Sequence, residues 1–310
     1  MLSKLSSRIF ERTSHASLSC SIAESQGENH VGTSLEKTIL LANSTSLDAP
    51  FVGVIWLWCF SHCYSSSVEF HHYLILFSVT WLSYAGDRLL DSIRMPAAHA
   101  KPHRHVFSTI YFKPLVFAWV LIAVLSIRYL LHFLSRSEIG WGICLLVLLL
   151  IYFLGCFYIP RLARGLLPRE LLVGLFFSAA THFFVLVQMS QWSFYSVWTF
   201  VCFMSLCSLN CLLISRWELS SDKQVGEITF FTTKPDQIHR LRPVLILFIG
   251  LQVIACSTVI FMDRIPVFEM SVLSSAILLL MLDRSSLGSH LKPVLADFAL
   301  FTPCVFLNLV

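Results

Sequence analysis

The chain has 310 residues, 56% of them hydrophobic and only 13% charged. A soluble globular protein carries about a quarter charged residues, so this balance, with a mean hydropathy of +0.74, excludes an ordinary soluble domain. The formal net charge of +4 is small and spread along the loops, which argues against a nucleic-acid partner. Repeated apolar runs of about 20 residues match helices that cross a bilayer, whereas barrel strands would be shorter and would alternate. The expected fold is therefore all-α: a polytopic membrane helical bundle of about nine transmembrane helices.

Residues 1–48 are polar and serine-rich, with Lys4, Arg8 and Arg12 near the start. A secretory signal needs an early apolar core, and none is present. The segment reads as a disordered tail, with a cleaved organellar transit peptide as the alternative. Residues 49–310 form the expected transmembrane domain. Its apolar spans fall near 49–66, 68–86, 111–134, 139–159, 166–188, 194–215, 243–262, 266–283 and 293–310. The first two are the least clean, because His62, His71 and His72 lie around their junction.

The second run gives out in SYAGDRLLDSIR, residues 83–94. Asp87 and Asp91 stand four apart there, a spacing that stacks both carboxylates on one helix face. The following HAKPHRH segment holds His99, His103 and His105 between prolines and reads as a basic loop, not a metal site. In span five, His182 and Gln188 read as interhelical hydrogen-bonders. The sixth run ends in NCLLISRWELSSD, which brings Asn210, Glu218 and Asp222. Most cysteines lie inside apolar runs and behave as small hydrophobes. The pairs Cys59/Cys63 and Cys207/Cys211 are read as core.

Basic residues give a topology. With the N-terminus inside, 19 of the 22 lysines and arginines fall on the inner side, and only Arg128, Arg136 and Arg264 fall outside. This agrees with the positive-inside rule. Both acidic clusters then lie on the same cytoplasmic, positive side, beside the two long loops near 87–110 and 216–242. Carboxylates at a span end are costly in lipid and are tolerated in a wet cavity or around a metal. Asp87, Asp91, Glu218 and Asp222 suit Mg²⁺, which takes oxygen ligands and keeps several waters. Arg88, Arg94, Arg161, Arg164 and Arg216 could hold diphosphate oxygens, and Asn210 divides between helix packing and cavity lining. A metal-bridged diphosphate at a membrane surface implies a substrate with a greasy tail.

The segment SYAGDRLLD resembles the first aspartate-rich motif of the UbiA superfamily of intramembrane prenyltransferases, Asn-Asp-x-x-Asp-x-x-x-Asp. Asp87 and Asp91 match its last two aspartates, and Arg88 matches an arginine common between them. RWELSSDKQVG resembles the second motif, with Glu218 and Asp222 in acidic places and Val225-Gly226 after them. FYIPRLARGLLPRELLVGLFF resembles the Tyr-Pro-x-x-Lys-Arg segment, and LADFALFTP the last helix of a divergent branch. Ser83 and Tyr84 depart from the family's Asn-Asp.

The resemblance implies an integral membrane enzyme that binds a polyprenyl diphosphate through Mg²⁺ held by Asp87, Asp91, Glu218 and Asp222, which are also its catalytic residues. Arg88, Arg94, Arg161, Arg164, Asn210 and Arg216 would bind substrate, and the prenyl chain would pass to an aromatic or lipophilic acceptor. The alternatives are a UbiA-type terpene cyclase and, given the lost Asn-Asp pair, a non-catalytic membrane scaffold or lipid-binding protein. A small-solute transporter is the weakest reading, because no broken helix pair stands out.

Overall fold

A computed structural model describes residues 45–94, 111–158, 168–189, 191–288 and 291–307. The expected tail before residue 45, the loop holding His99, His103 and His105, and Arg161 and Arg164 lie outside the described residues. The described chain is all-α, with no strand among those residues. Its helices are α1 Asp48–Cys63, α2 Phe70–Arg94, α3 Phe112–Phe133, α4 Arg136–Tyr158, α5 Arg169–Gln188 and α6 Phe194–Trp217. They continue as α7 Leu219–Val225, α8 Phe230–Thr233, α9 Leu241–Phe261, α10 Val267–Arg284, α11 Leu291–Phe298 and α12 Pro303–Phe306. Four helical stretches are long and apolar enough to cross a membrane: Phe112–Phe133, Arg169–Gln188, Phe194–Trp217 and Pro235–Phe261. A multi-pass membrane protein follows from these lengths.

The core is built where α1, α6 and α10 meet. Trp56 and Phe60 on α1 pack on Phe203 of α6, with ring centroids 4.5 Å and 5.4 Å away. Phe268 of α10 closes the cluster 5.8 Å from Phe60. In contrast, α3 has no buried residue, and Phe117, Val124, Ile127 and Leu131 stand exposed along it. A mostly apolar helix with an exposed apolar face matches a lipid-facing surface. It is held to α2 in part by Trp119, whose indole N–H donates to the Leu82 carbonyl at 2.8 Å.

Helices α5 and α6 approach closely at Gly174. A Cβ placed on Gly174 would lie 2.9 Å from the Ser208 backbone nitrogen and 3.0 Å from the Met204 carbonyl oxygen. One turn along, the Ser178 hydroxyl donates to the Phe200 carbonyl at 3.2 Å. Small residues four apart let two helix backbones meet in this way.

Two departures from the expected spans have local causes. The loop near 216–242 is largely helical, because α6 breaks at Glu218 and resumes as α7. Gly226 ends α7 in the left-handed region with φ of 77°, a conformation glycine adopts without penalty. The last apolar run, expected as one span near 293–310, is divided into α11, a 3₁₀ turn at Ala299–Phe301 and α12. Pro303 cannot donate to the preceding turn. The Leu300 carbonyl is instead taken by the Trp56 indole N–H at 2.8 Å. Thr302 turns its hydroxyl inward, 2.7 Å from Ser275 Oγ and donating to the Ser271 carbonyl at 2.7 Å.

Gly174→Val should force α5 away from α6 and cost about 1–3 kcal/mol, read as a lower unfolding temperature in detergent. Gly250→Ala, which has nothing within 4 Å of its Cβ position, should leave that temperature unchanged or higher. An unaltered midpoint for Gly174→Val would refute the close approach.

Candidate functional site

A cavity of about 220 Å³ opens among α1, α2, α5, α6, α7 and α11. Asp87 and Arg88 reach it from α2, Arg169 and Glu170 from the first turn of α5, and Asn210 from α6. Glu218 stands at the joint of α6 and α7, Asp222 lies on α7, Glu227 follows it, and Asp297 comes from α11. Asp87 of the first sequence-predicted acidic cluster and Glu218 and Asp222 of the second therefore line one cavity. Helix α2 extends past the end of its apolar run and carries both Asp87 and Asp91, while the joint at Glu218 keeps Glu218 and Asp222 four residues apart: the Asp222 N–H donates to the Glu218 carbonyl at 2.9 Å. Asp222 is buried.

The electrostatic centre is Arg169. Its guanidinium donates to Asp87 Oδ2 at 2.9 Å and to Glu227 Oε1 at 2.7 Å. One side chain of α5 thus ties the first acidic motif to the turn that follows the second. Beside it, Glu170 accepts from the Phe230 N–H at 2.9 Å through Oε1, while its buried Oε2 has no hydrogen-bond partner. On α6 the Asn210 amide donates to Asp297 Oδ1 at 2.9 Å. Among the described residues, six carboxylates and two arginines line the cavity, and carboxylates so grouped draw cations or protons. Among the described residues no three His, Cys, Asp or Glu side chains converge closely enough to hold a metal ion.

The side chains of Asp91 and Arg94, both on α2, lie outside the described residues. Arg216 is turned to the far side of α6, where its guanidinium donates to both oxygens of Asp283 at 2.8 and 3.0 Å. Asp283 also accepts from the Trp217 indole at 3.1 Å and from Arg242. This carboxylate ties together the ends of α6, α9 and α10, and Arg216 serves that tie. Tyr84 lines the cavity, edge-on to Phe177 at 6.4 Å, whereas the Ser83 hydroxyl donates back to the Val79 carbonyl at 2.9 Å. His182 makes its hydrogen bond within its own helix, to the Ser178 carbonyl at 2.9 Å, and stacks on Phe60 at 3.7 Å. Gln188, also expected to bond between helices, instead accepts from Ser66 Oγ at 2.7 Å, in the loop between α1 and α2. Cys59, Cys202 and Cys207 are free and buried.

Arg169, Glu170, Glu227 and Asp297 are cavity residues that the sequence reading did not single out. Asp297 carried a legible signal, an acid alone in an apolar segment. Arg169 and Glu170 resemble any charged pair at a span end, and only the fold brings them to Asp87. No family model, curated protein or solved structure matches the chain.

Two outcomes test this geometry. Arg169→Ala should speed hydrogen exchange at residues 226–230 while costing at most about 1 kcal/mol overall, since the pair is about one-third exposed. Exchange at the wild-type rate would mean that the bridge does not hold the turn. Asp283→Ala should cost about 2 kcal/mol or more, because a buried acceptor of several charged bonds is lost, read as a fall in the unfolding temperature.

Proposed function

We propose that this chain is a UbiA-like integral membrane protein that binds a polyprenyl diphosphate with Mg²⁺ in this cavity and transfers the prenyl chain to an aromatic or lipophilic acceptor. The observation that carries the reading is the meeting of Asp87 from one acidic motif with Glu218 and Asp222 from the other around a single cavity. The described lining offers carboxylate oxygens, the ligand type a hard cation takes, and a buried Glu170 oxygen without a partner; since no three of the described side chains converge as they stand, binding requires them to draw together. Asp87, Asp91, Glu218 and Asp222 would hold the metal, and Glu170 joins them as a candidate. When bound, Mg²⁺ acts as a Lewis acid that draws charge from the diphosphate. Arg88 and Arg169 supply guanidinium donors to the leaving diphosphate oxygens. For Arg169 that role requires release from Asp87 or Glu227, so its ion pairs are the resting arrangement of the site. The cavity wall of Val52, Phe177 and Leu300 excludes water from a reactive prenyl group. In this reading all nine apolar segments belong to the membrane bundle, with the N-terminus and the acidic motifs on the cytoplasmic side.

A second reading has its own support. Arg169 already satisfies Asp87 and Glu227, as it would in a scaffold that kept the bundle and gave up metal binding. One experiment separates the two. Purified protein in nanodiscs is given labelled geranyl, farnesyl and geranylgeranyl diphosphates, with Mg²⁺ or with chelator. Retention that needs Mg²⁺ and falls at least about tenfold in Asp87→Asn and Asp222→Asn is the expected result. Metal-independent retention, or none with any chain length, would sink the transferase and leave the scaffold.

A further inference from the structure

Glu269 stands in the first turn of α10, at the end of the bundle away from the cavity. Its neighbour Tyr195 opens α6, and from there to Trp217 that helix rises about 33 Å at 1.5 Å per residue. Glu269 is 1% exposed, and Phe268 beside it packs on Trp56 and Phe60. The Tyr195 hydroxyl is near enough to donate to one carboxyl oxygen, which leaves the other buried with no hydrogen-bond partner. The titratable groups around it are thiols and phenols: Cys59 and Cys63 of α1, Tyr64 just beyond, Tyr195 and Cys202 of α6, and Cys256 of α9. From the last element Thr302 brings a hydroxyl to Ser271 and Ser275 of α10. His182, which stacks on Phe60, is turned to the Ser178 carbonyl. Asp263 and Arg264, in the turn before α10, are exposed. Among the described residues no basic side chain pairs with Glu269.

We propose that Glu269 is a proton-binding site: its carboxyl holds a proton while α1, α6 and α10 are packed together, and gives it up when they come apart. An ionised Glu269 would be a buried charge with no counter-charge. The start of a helix favours an anion by about fivefold, but taking an unpaired ion out of water costs about a hundredfold or more. The acid is therefore neutralised, and the aromatic packing around it favours the one cation that needs neither room nor a set of oxygen ligands. With the proton in place, the second oxygen becomes a donor as well as an acceptor. The site lies apart from the acidic motifs and does not rest on the proposed transferase reading.

The test is infrared spectroscopy of the full chain in nanodiscs, with isotope-labelled glutamate carboxyls. A protonated carboxyl has a C=O stretch well separated from that of a carboxylate, and the label tells glutamates from aspartates. At neutral pH the unmodified chain should show a label-sensitive protonated-acid band. Glu269→Gln should lose it, and the double variant Glu138→Gln/Glu170→Gln, which removes two other buried glutamates, should keep it. The double variant makes the assignment even if Glu269→Gln does not fold. Absence of the band from the unmodified chain, its survival in Glu269→Gln or its loss from the double variant overturns the site. Equilibrium unfolding in mixed micelles reads the linked proton. A proton held in the folded chain and released on unfolding raises the unfolding constant about tenfold per pH unit above the ordinary glutamate pKa of about 4.3. The ratio of the unfolding constants of the unmodified chain and Glu269→Gln should therefore grow about tenfold per unit between about pH 6 and pH 8. A ratio that does not change with pH overturns the proposal.

Discussion

The near-contact of α5 and α6 backbones at Gly174 sets the spacing on which the cavity depends. These two helices carry Glu170 and Arg169 on one side and Asn210 and Glu218 on the other. A methyl group at Gly174 would meet main-chain atoms, which cannot rotate away as a side chain can. Lipid tails are as apolar as the helix surfaces, so association inside a membrane draws on close packing and polar contacts more than on hydrophobic exclusion. A small residue at this crossing therefore does what a large apolar side chain does in a soluble core. Widening the crossing would draw Glu170 away from Asn210 and carry Arg169 away from Asp87.

Charge is handled in two ways at the same end of the bundle. Asp283 is nearly fully buried and answered by Arg216, Arg242 and the Trp217 indole. Such a carboxylate is spent on architecture. Among the described residues the cavity lining holds more acids than bases, and an ion-pair network there runs through a partly exposed arginine. Exposed pairs are weak and exchangeable. The contrast separates a joint from a site without reference to any relative.

The helical class and the placing of Asp87, Glu218 and Asp222 at span ends were legible because both rest on local patterns. Apolar runs of span length report helices directly, and the four-residue spacing of Asp87 with Asp91 and of Glu218 with Asp222 survives a joint in the second pair. Arg216 misleads for a geometric reason. It stands two residues before Glu218, about 200° around a helix at 3.6 residues per turn, so it faces away from the acids it neighbours in sequence. Arg169 and Asp297 were hidden because their significance comes from contacts 82 and 87 positions away. The break in the last run was partly visible in Pro303, but its stabilising contacts, Trp56 to Leu300 and Thr302 to Ser275, are long-range.

The Trp56–Leu300 bond joins residues 244 positions apart, and it bears on synthesis. Trp56 of α1 is therefore made well before its partner, the Leu300 carbonyl, and while the intervening residues are synthesised the indole must be accommodated by lipid, water or the insertion machinery. The bundle can begin assembling around α5 and α6 before α11 and the turn at Leu300 arrive. The wall at Asp297 and Leu300 thus reaches the cavity after both acidic motifs, and a nascent chain halted before residue 297 would carry those motifs without it.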